Sequence, residues 1–138
     1  MKSINHFALA GILSLVLLTL GAQAAIQARI WKGAYATGTP VLVVEQGRVY
    51  AGAYATGSPV MLVEKGKVYK GAYATGAPLA IGHEGRIYRG AYANGTPLAC
   101  WKEGRIYKGA YPFGTPLAVM EGGGLGEATA AAYWLLQP

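Results

Sequence analysis

The chain has 138 residues, with 12 Lys+Arg against 6 acidic side chains and a formal net charge of +6. One Cys excludes an internal disulfide, and the length fits a single domain. Beyond residue 24 there is one Ser (Ser58), one His (His83), one Cys (Cys100) and no Asp. That inventory argues against nucleophilic or acid–base catalysis, which needs a mutually positioned set of groups, and offers no metal-ligand spacing or cofactor motif.

At the N-terminus Lys2 precedes an apolar run, Ala8 to Leu20, too short for a comfortable membrane span. Ala22-Gln23-Ala24 then has the small-x-small form of a signal peptidase site. The expectation is a signal peptide over residues 1–24, cleaved near Ala24, and an exported (periplasmic or secreted) domain over residues 25–138 with no transmembrane segment. An uncleaved anchor is the alternative. Without Lys2 the net charge is +5, which favours anionic lipid headgroups or acidic envelope polymers as partners. Export argues against nucleic acid.

From Arg29 the chain repeats every 19 residues, a period that points to a repeat architecture. The units span residues 29–47, 48–66, 67–85, 86–104 and 105–123, the second reading RVYAGAYATGSPVMLVEKG. Each holds two β-type runs. Arg-Ile/Val-Tyr-x-Gly-Ala-Tyr is β-branched and aromatic with no helical period. Ala-Thr-Gly-Thr-Pro reads as a turn, and the following apolar run, such as Pro40 to Glu45, as a second strand. Glu-x-Gly-Arg closes a tight hairpin. An isolated hairpin is marginal in water, and an open row leaves two exposed edges. The expected fold is all-β: five β-hairpin repeats closed into a quasi-symmetric ring or shallow barrel, with a linear solenoid as the alternative. The apolar segment 124–138 leaves the repeat after Leu125. Its Ala run favours a helix plugging or capping the ring, or else a last strand pairing with the N-terminal strand near Ile26 to Tyr35.

The columns G-R-I/V-Y-x-G-x-Y-x-x-G-x-P-L-A, ending in an Ala/Leu-rich tail, resemble the β-flower family from Arg29 to about Leu136. The resemblance implies a ring of short hairpins around a hydrophobic channel, and brings no catalytic residues. A weaker, partial similarity to MORN-type repeats rests on Tyr50-x-Gly52-x-Tyr54-x-x-Gly57, with Pro59 and an apolar strand departing from it.

Two column sets are candidates for ligand binding. The first is Tyr35, Tyr54, Tyr73, Tyr92 and Tyr111, spaced four from Trp31, Tyr50, Tyr69, Tyr88 and Tyr107. That spacing predicts a shared strand face with a glycine such as Gly52 between the rings. They are read as a platform for sugars or lipid headgroups, or as cross-strand packing. The second is Arg29, Arg48, Lys67, Arg86 and Arg105 on the same face, read as an anion-holding ring or as surface ion pairs such as Arg48–Glu45 and Lys67–Glu64. Lys32, Lys70, Arg89 and Lys108 fall on the opposite face, with Ala51 as the gap. Cys100 fills an apolar slot and His83 a variable turn position. The expected function is a non-enzymatic binding or structural module at the cell envelope with an amphiphilic or anionic ligand. An apolar axis would take its chain and basic rims its head; the alternative is carbohydrate or cell-wall binding through the tyrosines. Gly82-His83 and Pro112-Phe113 are the places where single units break the pattern.

Overall fold

A computed structural model describes residues 26–137; the expected leader, residues 1–24, lies outside them. Ten strands follow in order: β1 (Ile26–Lys32), β2 (Leu42–Glu45), β3 (Arg48–Ala51), β4 (Met61–Glu64), β5 (Lys67–Lys70), β6 (Ala80–His83), β7 (Arg86–Arg89), β8 (Ala99–Lys102), β9 (Arg105–Lys108) and β10 (Ala118–Gly122). A helix, α1 (Leu125–Leu136), ends the fold. Each strand pairs antiparallel with its sequence neighbours, and β1 pairs with β10, so the sheet is a closed barrel. Closure rules out the linear solenoid.

The barrel has two unlike ends. At the turn end, two-residue turns join β2 to β3, β4 to β5, β6 to β7 and β8 to β9. Gln46 (φ 51°) and Gly47 (φ 78°) show the pattern: positive φ at both positions, the turn whose twist matches a right-handed hairpin. At the loop end, longer links carry the Thr-Gly-x-Pro sequences. The run expected to continue as strand to Tyr54 stops at Ala51, because Gly52 at φ +97° swings the chain off the ladder. Backbone bonds from Gly52 N–H to Val41 O (2.8 Å) and from Val60 N–H to Val49 O (2.8 Å) clamp the link at both sides.

The fifth hairpin is completed by the first strand of the chain. Glu121, Met120 and Val119 face Arg29, Ile30 and Trp31. This reproduces the register of Lys102, Trp101 and Cys100 against Arg105, Ile106 and Tyr107. Gly122 and Gly123 still make the tight turn (φ 77° and 75°). The strand position beyond it is taken by β1, however, so the chain enters the lumen as α1. The tail is therefore the helix, and β1 is the closing strand.

Inside, Ile30, Val49, Val68, Ile87 and Ile106 form one fully buried layer. The helix lies among the inward side chains. Ala128 to Ala132 are five consecutive residues with no exposed surface; at 100° per residue they face every direction, so protein surrounds them all round. Its contacts run from β4 to β10 and are broadest with β6. The wall at β6 is built from small residues: Ala80 stands where the first two units place Leu42 and Met61, as Ala99 and Ala118 do on β8 and β10. Gly82 occupies a column otherwise holding Val44, Val63, Trp101 and Met120. A Cβ at Gly82 would lie 2.5 Å from Thr129 Oγ1 and 2.7 Å from Leu125 Cγ. The Thr129 hydroxyl, fully buried, donates to Leu125 O (2.7 Å). Glu127 Oε1 accepts from Gly124 N–H (2.7 Å) and sets a negative charge in the helix's first turn.

Most strands have four residues and reach about 13 Å at the usual rise, under half of a bilayer's apolar core of about 30 Å. No helix among the described residues is long and apolar enough to cross a membrane.

Gly82→Val, although it writes in the residue that the first two units carry in its column, should destabilise the protein by about 1–3 kcal/mol through overpacking against α1. Leu125→Ala in the same chain should recover part of that loss. Urea denaturation of both variants checks it, and an unchanged midpoint for Gly82→Val would remove the helix from this wall.

Candidate functional site

Strand alternation decides what the outer wall shows. With Ile30, Val49, Val68, Ile87 and Ile106 pointing inward, their neighbours Arg29, Arg48, Lys67, Arg86 and Arg105 point outward. So do Trp31, Tyr50, Tyr69, Tyr88 and Tyr107. Each outward apolar residue sits between a cation on one neighbouring strand and an aromatic on the other. Val43 faces Arg29 and Tyr50, Leu62 faces Arg48 and Tyr69, and Cys100 faces Arg86 and Tyr107. This aromatic column is half-buried, and Trp31, which replaces Tyr in the first unit, is almost fully buried, its Nε1–H donating to Gly38 O (3.0 Å). These rings hold the wall together.

The second aromatic column behaves otherwise. Tyr35, Tyr54, Tyr73 and Tyr92 are 73–75% exposed and Tyr111 is 61% exposed. They stand in the links beyond the strand ends, so the two rings four residues apart do not share a strand face across Gly52. The difference follows from the positive φ at that glycine. One column is packed and the other is free, a split that equal spacing concealed.

The expected hairpin ion pairs also differ. Glu45 faces Arg48 and Glu64 faces Lys67 in register. Among the described residues, though, the side-chain ion pair that closes is His83 Nε2 to Glu84 Oε1, at 3.7 Å between two exposed groups. The outward basic column is thus left open to solvent partners.

The loop end gathers a different set. Lys32, Lys70, Arg89 and Lys108 stand opposite the inward residues Ala118, Met61, Ala80 and Ala99, so they ring the barrel mouth. Ala51, opposite Leu42, is the gap. The Arg89 guanidinium lies over the Tyr133 ring, 5.7 Å from its centroid, a cation–π contact between wall and plug. Beside it a cleft of about 270 Å³ is lined by Val60, Met61, Lys70, Leu79, Tyr133, Trp134 and Gln137. Every acidic side chain lies at the other end: Glu45, Glu64, Glu84, Glu103, Glu121 and Glu127 all sit beside the tight turns or the start of α1. Among the described residues the turn end carries seven cations against those six carboxylates. The loop end carries four cations and no acidic side chain. The excess charge of the chain is therefore concentrated at one mouth, over an apolar floor.

A second cleft, of about 230 Å³, opens on the outer wall between Arg86, Cys100 and Lys102 and the link carrying Tyr111 and Pro112. Burial raises the Cys100 thiol's pKa, and the Arg86 charge opposes that rise. The sulfur is a neutral floor atom at neutral pH.

No family model, curated protein or solved structure matches this chain. Of the candidate columns, the structure places the Arg/Lys set on the outer wall and the Tyr set on the links, and brings Arg86 and Tyr111 to one cleft. Tyr133 and Trp134 at the mouth escaped the sequence reading. Their signal was two aromatics closing an otherwise aliphatic tail.

Tyr54→Ala should leave stability within about 0.5 kcal/mol, as exposed substitutions do, whereas Tyr50→Ala should lower it clearly by unpacking the wall around Val43. Denaturant titration of the two variants side by side reads the difference, and equal losses would show that both columns pack.

Proposed function

We propose that the protein is an exported, non-enzymatic binding module of the cell envelope that docks reversibly on anionic lipid surfaces through its loop end. The observation that carries this reading is the charge segregation: four cations and no acidic side chain around the mouth, with all six Glu side chains at the far end. With α1 filling the axis, the ligand's chain has no lumen to enter. The contact is with headgroups, Lys70 and Arg89 meeting anions while Trp134 and Tyr133 offer the amphipathic rings favoured at a bilayer interface. At about 1 kcal/mol per cation near an anionic surface, four cations give weak, reversible attachment. The resemblance to the β-flower family, small hairpin rings with an apolar centre, is compatible with this role and supplies no activity of its own. A second reading, carbohydrate or cell-wall binding, is favoured by the high exposure of Tyr35, Tyr54, Tyr73, Tyr92 and Tyr111.

Co-sedimentation with phosphatidylglycerol-containing vesicles should be strong at about 0.01 M salt and largely lost near 1 M, as the screening length contracts from about 30 Å to 3 Å. Neutral phosphatidylcholine vesicles should not carry the protein down. Lys70→Glu/Arg89→Glu should abolish binding, while Arg48→Glu at the turn end should reduce it only slightly. Binding that ignores salt, or that falls equally for both variants, overturns the reading.

A further inference from the structure

In a quasi-symmetric repeat, the residues that all units share build the barrel, and those that one unit alone carries are released from that duty. Three residues that single units alone carry on the outer surface meet in one place. Lys102 stands in a column otherwise holding Glu45, Glu64, His83 and Glu121; Pro112 replaces an alanine present in four units; Phe113 replaces Thr or Asn. Ten residues separate Lys102 from Pro112 in the chain, yet both line the outer-wall cleft of about 230 Å³ with Arg86 and Tyr111. Phe113 stacks on Tyr111, ring centroids 6.0 Å apart at 23°, and lowers that tyrosine's exposure below its four counterparts.

The chemistry of this cleft is specific. One side is cationic, from Arg86 and Lys102; the acid that also lines it, Glu84, has its Oε1 turned toward His83 Nε2. The other side is Tyr111, backed by the stacked Phe113 ring, and its electron-rich face attracts the positive edge of C–H groups. The floor is the buried Cys100. The volume is below the range of about 300–1,000 Å³ typical of drug-sized ligands, so the cleft suits one small ring and no long chain.

We propose that this cleft binds a single acidic sugar residue of the hexuronate class. Its carboxylate lies between Arg86 and Lys102, and its C–H face stacks against Tyr111. The site is separate from the loop-end mouth and does not rest on membrane docking. It narrows the carbohydrate reading to one of five wall positions, the one where the repeat is broken.

The test is an amide-resolved NMR titration of the full-length folded protein with sodium glucuronate, and with glucose as the neutral control. Saturable shifts are expected at Arg86, Cys100 to Lys102, Tyr111 and Phe113, with glucose at least about tenfold weaker, equivalent to about 1.4 kcal/mol. Lys102→Glu and Phe113→Thr write in residues that other units already tolerate, so both should fold and each should weaken glucuronate about tenfold. Lys70→Glu should leave it unchanged, whatever the vesicle experiment shows. Absence of saturable shifts, equal binding of glucose, shifts centred on the loop end, or unaltered affinity in both regularised variants would each overturn the proposal.

Discussion

A ten-stranded barrel encloses more room than its own inward side chains fill; eight strands already mark the size at which side chains alone suffice. This excess lumen is the constraint from which the rest of the structure follows. Interiors pack to crystal-like density, so something must occupy the axis, and α1 does. An Ala-rich helix is narrow enough to enter, and its hydrogen bonds are satisfied internally, so its backbone can be buried without orphaned groups. The wall answers with small residues on β6, Ala80 and Gly82, where its contact with the helix is broadest; β4, which carries Met61, comes next.

Filling the axis also decides where function can reside. A plugged barrel offers its ends and its outer wall. The ends are made chemically unequal by a simple device: each unit places acid at the tight turn, and four of the five place a second cation at the opposite strand end. Repetition then turns a local habit into a molecular gradient of charge. The helix adds to it, with Glu127 in its first turn and two aromatics, Tyr133 and Trp134, near its last. The outer wall, by contrast, repeats one pattern with scattered departures, three of which, Lys102, Pro112 and Phe113, meet where the fourth and fifth units adjoin.

The period, the hairpins, the closure and the exposure of both basic sets were legible in the sequence, because each depends on features that recur in every unit: Gly at positive φ, Pro after the link turn, β-branched residues inside. What was not legible depends on features that do not recur. For the tail, the Ala run favoured a helix, and the rival strand is excluded by β1, which holds the one strand position open to it, a constraint that local propensity does not encode. Gly82 did record the helix's approach to β6, though it is meaningful only once a plug is supposed. The tyrosine columns misled for a third reason. Equal spacing implied equal environments, and a single glycine with positive φ put one column on the wall and the other in solvent. The ion pairs expected from hairpin register failed to close because facing positions do not oblige exposed side chains to meet.

The pairing of β1 with β10 carries a consequence for how the molecule comes into being. Ile30 must wait for Met120, so the earliest strand synthesised keeps a bare edge until the last is made. Through all that interval the growing sheet is an open ribbon with an apolar trough, the state in which edge strands recruit neighbours. The plug follows immediately after β10. The two hazards, a free edge and an empty lumen, therefore end together, and the segment from Ala118 to Leu136 acts as both latch and stopper. Such a design trades early folding for an abrupt finish: a chain dominated by one very long-range pairing closes late, and the nascent protein has every reason to be kept apart from its own copies until it does.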